Sequence, residues 1–182
     1  MKHLFVLLLS CACAAFAVAQ PTISHTRPAL PADSTAICVP YRLGWNMVSN
    51  PVIRPPGTDS IWQVFCGHGT CFQGWPGGGY HQQCTALNGM GLWIKVTGYP
   101  TTCCIDGGAI TRDSIPVFAG WNLIGSISHP VAVSSITTAP PDIRVSEFFG
   151  YTSRYAKADT IQPGQGYWVK VAQAGRLVLT SE

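Results

Sequence analysis

Gly44-Trp45-Asn46-Met47-Val48 and Gly120-Trp121-Asn122-Leu123-Ile124 are two versions of one phrase. Each is followed by a second phrase, Gly89-Met90-Gly91-Leu92-Trp93-Ile94-Lys95-Val96 in the first case and Gly164-Gln165-Gly166-Tyr167-Trp168-Val169-Lys170-Val171 in the second. The offset between the first phrases and that between the second phrases differ by one residue, and agreement at two distant points marks an internal duplication. The chain therefore reads as two copies of one module, and any functional account has to accommodate both.

The second phrases alternate as half-buried strands do. Leu92, Ile94 and Val96 share one face and leave Trp93 and Lys95 on the other, and residues 167–171 repeat the pattern. The expectation is a Lys stem lying over the Trp ring on the more open face. The glycines before each strand suit a turn that needs positive φ or a close approach of backbone. Asn46 and Asn122 are placed to close local turns through side-chain to backbone hydrogen bonds.

Elsewhere the chain has short apolar runs, many Gly and Pro, and few stretches at helical spacing. The fold class expected is all-β, with two homologous antiparallel β-sandwich-like modules in tandem and little helix. Module 1 spans 33–111 and module 2 spans 112–182. Each reads as a first strand (37–43 or 114–118), the Gly-Trp-Asn strand, and a Pro (Pro51 or Pro130) leading to a crossing segment. A hairpin follows around Phe65/Tyr80 or Phe149/Tyr155, then the Trp-x-Lys strand and a last strand (109–111 or 176–179). One short helix is expected in 134–144, before Pro140-Pro141 ends it.

Residues 1–19 read as a signal peptide, with apolar Leu4 to Leu9 and the small-x-small site Ala17-Val18-Ala19. Leu8-Leu9-Ser10-Cys11 also has the form of a lipoprotein box, but it would leave an unusually short leader. The apolar run is too short for a membrane span, so no transmembrane segment is expected. Residues 20–32, with Pro21, Pro28 and Pro31, read as an extended Pro-rich arm. Charged residues make up 10% of the chain and the net charge is +3, with no Lys/Arg cluster, so a nucleic-acid partner is not expected.

Six of the eight cysteines lie beyond the leader: Cys38, Cys66, Cys71, Cys84, Cys103 and Cys104. An even count in an exported chain argues for three disulfides, all in or beside module 1. Adjacent Cys103 and Cys104 point in opposite directions along a strand, so each should have its own partner. Cys66-x-His68-x-x-Cys71 and His81-x-x-Cys84 also offer metal ligands, but oxidising surroundings and the unpaired spacing favour disulfides, and no metal or other cofactor is expected. The cross-links surround a Gly-rich insertion between Phe65 and Tyr80 that module 2 lacks, where they would offset the closure entropy of a long loop.

The eight acidic residues are dispersed, and no nucleophile elbow, zinc-protease motif or phosphate-binding loop occurs. An enzyme is not expected. Trp75 and Tyr80 flank Pro76-Gly77-Gly78-Gly79, and with His68 and His81 they form the candidate ligand-binding set. The blander alternative folds Trp75 back over the Gly-rich backbone as a satellite core. The other duplicated tryptophans read as architecture.

Gly120 to Val131, Phe148 to Tyr151 and Ala158 to Val171 carry a resemblance. They resemble a module of secreted and surface proteins from Bacteroidota, Chlorobi and Ignavibacteria lineages, often found near the C-terminus of cargo of the type IX route. The resemblance covers about 33–181 and is tightest in the second copy. It implies an extracellular location and a non-enzymatic role, and it names no ligand. The chain departs from the pattern in its Cys-rich insertion and in the lack of a sorting domain before Glu182, so type IX export is not expected of this sequence as it stands. The function expected is thus a secreted or cell-surface structural and adhesive β module without catalysis. One alternative is a carbohydrate-binding or carbohydrate-degrading protein using the Cys66–Cys84 loop, and another is a self-assembling fibre or surface-layer subunit. The partners in view are surface glycans, other surface proteins, or further copies of the chain.

Overall fold

The computed structural model describes residues 33–68, 70–74, 79–99 and 101–181, so the expected leader and Pro-rich arm lie outside the described residues. Among those residues strand takes 56% and helix 5%, well under the helix share usual for globular chains, and the fold is all-β.

In the N-terminal half, β1 (Ser34–Tyr41), β7 (Thr101–Ala109) and β3 (Val52–Ile53) form one antiparallel sheet in the order β1-β7-β3. The facing sheet has the order β2-β6-β4-β5, from β2 (Gly44–Ser49), β6 (Gly91–Val96), β4 (Cys71–Gly74) and β5 (Tyr80–Gln82). In the C-terminal half, β8 (Arg112–Val117), β16 (Gly175–Thr180) and β11 (Thr137–Ala139) repeat the first arrangement as β8-β16-β11. β9 (Gly120–Ile124), β15 (Tyr167–Val171), β12 (Phe148–Tyr151) and β13 (Tyr155–Ala158) repeat the second as β9-β15-β12-β13. A small extra pair joins β10 (Val131–Ala132) to β14 (Thr160–Ile161).

Each half encloses its own apolar cluster. Val48, Phe65, Leu92, Ile94 and Ile105 centre the first, and Ile124, Phe148, Val169, Leu177 and Leu179 the second. Fully burying such a side chain is worth about 1.5–3 kcal/mol. The hairpins β1–β2 and β8–β9 close alike, as expected. Asn46 Oδ1 accepts from the Arg42 N–H at 2.9 Å and its Nδ2 donates to Arg42 O at 2.7 Å. Asn122 makes the same pair with Phe118 at 2.9 and 2.8 Å.

Register corrects part of the sequence alignment. Trp93 pairs with Phe72 and Trp168 with Phe149, so Phe72, not Phe65, is the counterpart of Phe149. Phe65 is a fully buried anchor just after α1 (Ile61–Val64). That helix was not expected. Ser60 caps it, its Oγ taking the Gln63 N–H and donating to Gln63 Oε1. The expected helix in 134–144 is only a 3-10 turn, Val133–Ser135, because β-branched Thr137 and Thr138 then pair with β16. The last strand of the first half is also earlier and longer than 109–111, running from Thr101 to Ala109.

Two disulfides form. Cys38–Cys104 links directly opposed residues of β1 and β7, and Cys66–Cys103 ties the exit of α1 to β7 with Cα atoms 5.7 Å apart. Cys103 and Cys104 do take separate partners. The third expected bridge is corrected: Cys71 and Cys84 are free. Cys71 points into the core from β4, whereas Cys84 lies exposed beyond β5, so the two thiols face different surroundings.

The duplicated phrases also make the contact between halves. The Ser49 N–H donates to Gly164 O and the Gly125 N–H to Gly89 O, both at 2.9 Å. Val48 bridges to Gln165 and Met90 to Ile124. These contacts are reciprocal, since Ser49 and Gly125 hold equivalent places, as do Gly89 and Gly164; the interface has the self-complementary form of a two-fold dimer. Gly91 is required by it, since a Cβ there would stand 2.4 Å from Ile124 O. Buried Ser49 and Ser126 join Oγ to Oγ at 2.8 Å, and Ser128 Oγ donates to Pro51 O at 2.6 Å. The face of β6 expected to be open is thus covered. Trp93 is 7% exposed, in a cluster with Met47 and Leu123.

Candidate functional site

Above this seam the two four-stranded sheets leave a cavity of about 520 Å³, lined by Trp45, Phe72, Tyr80, Trp93, Tyr151 and Tyr155. β2, β4, β5 and β6 supply four of these rings, and the β12–β13 hairpin of the other half supplies two tyrosines. Strand register brings them to one face: Phe72 lies opposite Trp93, and Tyr151 opposite Tyr155.

The rings pack edge to face. Trp93 meets Tyr151 at 4.8 Å between centroids, Tyr155 at 6.3 Å and Trp45 at 6.4 Å, with interplanar angles from 73° to 90°. Such packing fixes the rings beyond what burial alone would do. Trp45 remains 41% exposed, so part of its surface is open to a ligand. The Lys95 Nζ lies 5.8 Å from the Trp45 ring centroid. This corrects the expected stacking, because Lys95 is opposite Trp45 across the β2–β6 ladder and covers that ring rather than Trp93.

Polar groups at the site are phenols and indoles. Burial first, and then the neighbouring Tyr80, push the Tyr155 phenol above its ordinary value, and Tyr80 and Trp168 hydrogen-bond to it. Tyr155 therefore stays neutral across physiological pH and can donate as well as accept. The Trp93 Nε1 is buried with no hydrogen-bond partner among the described residues.

Of the expected site residues that are described, Tyr80 lines this cavity and His68 and His81 do not. Trp75 lies outside the described residues. His68 sits instead beside Tyr41, ring centroids 5.9 Å apart, with a buried Nε2 that finds no partner. His81 is exposed on β5 opposite Gln73. No group of three His, Cys, Asp or Glu among the described residues could hold a metal ion. Sequence reasoning missed Trp45, Phe72, Trp93, Tyr151 and Tyr155. For Trp45, Phe72, Trp93 and Tyr155 the signal was there, since aromatic residues recur at matching places in both copies; Tyr151 has no aromatic counterpart, and the role of one copy against the other is set by the contact between them.

The pseudo-dyad does not carry this lining over unchanged. Trp121 and Phe149 pack like Trp45 and Phe72, at 6.0 against 5.8 Å. However, the counterpart of Tyr151 is Gly74, and the Trp168 ring fills the space where a Cβ of that residue would be.

No family model matches the chain, and no curated protein or solved structure matches it. No described helix is long and apolar enough to cross a membrane.

Proposed function

We propose that this chain is an exported, cell-surface or secreted adhesive module without catalytic activity, made of two copies of one β unit, that binds its ligand in the aromatic cavity between them. The observation that carries the reading is the lining itself: six aromatic side chains from both halves around one opening. Apolar walls with a few placed hydroxyls suit binding. Among the described residues the lining includes no carboxylate, imidazole or thiol to act as acid, base or nucleophile. Two disulfides support an oxidising compartment.

Tyr80 gives the carbohydrate-binding alternative a foothold, because it ends the Gly-rich loop and also lines the cavity. The test is a screen of the full chain against surface glycans and surface proteins, with Trp45→Ala as control. The expected result is at least one ligand whose binding falls at least tenfold in Trp45→Ala while circular dichroism is unchanged. Binding that is indifferent to this substitution would refute the cavity as the adhesive site.

A further inference from the structure

The aromatic cavity does not stand alone. A second hollow of about 190 Å³ shares Trp45 and Tyr151 with it and is lined also by Arg42, Asn46, Thr152 and Gln165. The two hollows therefore adjoin at Trp45 and Tyr151, beside the junction of the halves. Their chemistry differs. The first is walled by rings; the second adds a guanidinium and amides to the Trp45 and Tyr151 it shares.

Arg42 is held in place. Its Nη1 donates to Thr152 O across the junction at 2.8 Å, and its backbone is fixed through Asn46. This uses one of its five N–H donors toward the other half and leaves a planar fork, which matches a carboxylate. Lys95 stands over Trp45 at the other flank. Both charged groups beside the groove are cations, and no acidic side chain among the described residues lines either compartment.

Resting on the cavity as the binding site, we propose that the groove takes an acidic polysaccharide, with a uronate as the recognised unit. One pyranose lays its C–H face on Trp45, and its hydroxyls meet those of Tyr80 and Tyr155. The carboxylate of the adjoining sugar meets Arg42. A pyranose chain has both requirements in one repeat, an apolar face and a ring of hydroxyls, whereas an aliphatic side chain would leave the phenols unused. A quaternary ammonium, which aromatic cages also accept, is disfavoured by the two cations at the rim.

Affinity electrophoresis of the full chain tests this with polygalacturonate and alginate. Methyl-esterified polygalacturonate serves as the same chain with its carboxylates masked, and polyglutamate as a polyanion without sugar. The expected result is retardation by a uronate polymer, at least tenfold weaker with the ester and absent with polyglutamate. Arg42→Gln should erase the preference for free acid while keeping weak binding to the ester. Trp45→Ala should abolish both, and Arg112→Gln, the same charge change on exposed β8, should alter neither. Equal binding of acid and ester, or a preference that survives Arg42→Gln, overturns the uronate assignment and leaves the aromatic cavity standing as a site. Retardation by polyglutamate equal to that by uronates overturns it in favour of an acidic peptide or mere charge. No retardation by any glycan, with some other ligand lost in Trp45→Ala, overturns the glycan class alone.

Discussion

At one equivalent place the two halves are held by different chemistry. Cys38 on β1 is bonded to Cys104 on β7. Its counterpart on β8 is Ser114, whose hydroxyl accepts from Arg176 Nε at 2.6 Å across the β8–β16 ladder; its carbonyl accepts from the same guanidinium. A covalent cross-strand bond and a side-chain hydrogen bond thus occupy the same position in matching sheets. The second disulfide, Cys66–Cys103, has no counterpart at all, and it sits where the first half departs from the second, at α1 and the following 65–70 segment. The ladder common to both halves carries a disulfide in one and a hydrogen bond in the other, and the Cys66–Cys103 link follows the added chain.

The largest effect should come from removing those links. A disulfide contributes about 2–4 kcal/mol, so reducing both should cost the N-terminal half several kcal/mol, on the scale of a small domain's whole stability. Hydrogen exchange followed by mass spectrometry should show protection lost in 33–111 and retained in 112–181. Simultaneous loss in both would mean that the seam makes them one cooperative unit and that the contrast is only local.

The seam can be probed at two glycines of unequal tightness, Gly91 from one half and Gly125 from the other. An added Cβ at Gly91 would stand 2.4 Å from Ile124 O, whereas at Gly125 it would meet Met90 O at 3.0 Å. Backbone cannot yield as a side chain does, so Gly91→Ala should cost roughly 3 kcal/mol or more, and Gly125→Ala about 1–2 kcal/mol. Urea midpoints give the ranking, and quenching of Trp45 and Trp93 by acrylamide should rise only where the cavity opens. Equal costs would show that the halves shift apart freely.

A smaller difference should separate the hairpin asparagines. Asn122 is 6% exposed and Asn46 is half-buried, yet each closes its turn through the same hydrogen bonds. Leaving the turn's backbone groups unsatisfied costs about 1–3 kcal/mol when they are buried. Asn122→Ala should fall in that range, with Asn46→Ala at its lower end because water can replace the lost partner. Denaturant midpoints that rank them the other way would argue that the N-terminal hairpin is the tighter one.

Much of this was legible in the residues themselves. Alternation in 92–96 and 167–171 specified strands, because a pleat sends successive side chains to opposite faces. The repeated asparagines specified hairpin closure, because an amide can satisfy both backbone groups of one residue. What alternation cannot say is what covers the second face. Trp93 reads as half-exposed within its own module, and Leu123 and Tyr151 of the other half help to bury it. The cavity was hidden for the same reason: its walls come from both halves, and Tyr151 and Tyr155 have nothing local that marks them out. The alignment error at Phe65 arose because the hairpin of the first half is longer; only the pairing of Phe72 with Trp93 resolves it.

The last contrast is within the N-terminal half, between paired and unpaired cysteines. Cys71 is fully buried, and burial pushes its thiol up to about 12, although the Phe72 backbone lowers it somewhat. At pH 8 the thiolate fraction is on the order of one in ten thousand, so Cys71 should not react with iodoacetamide in the native protein. Cys84 is exposed and should react. For the chain from Gln20 onward, without reductant, the expected counts are one label when folded and two after unfolding in urea, read by intact mass. The Gln83 N–H donates to Cys71 O at 3.0 Å, and Cys84 is near enough to Cys71 to push its thiol further up. No label in urea without reductant would mean that Cys71 and Cys84 are joined in the native protein. The half with the added loop would then carry three cross-links against none, and its dependence on covalent closure would be greater still.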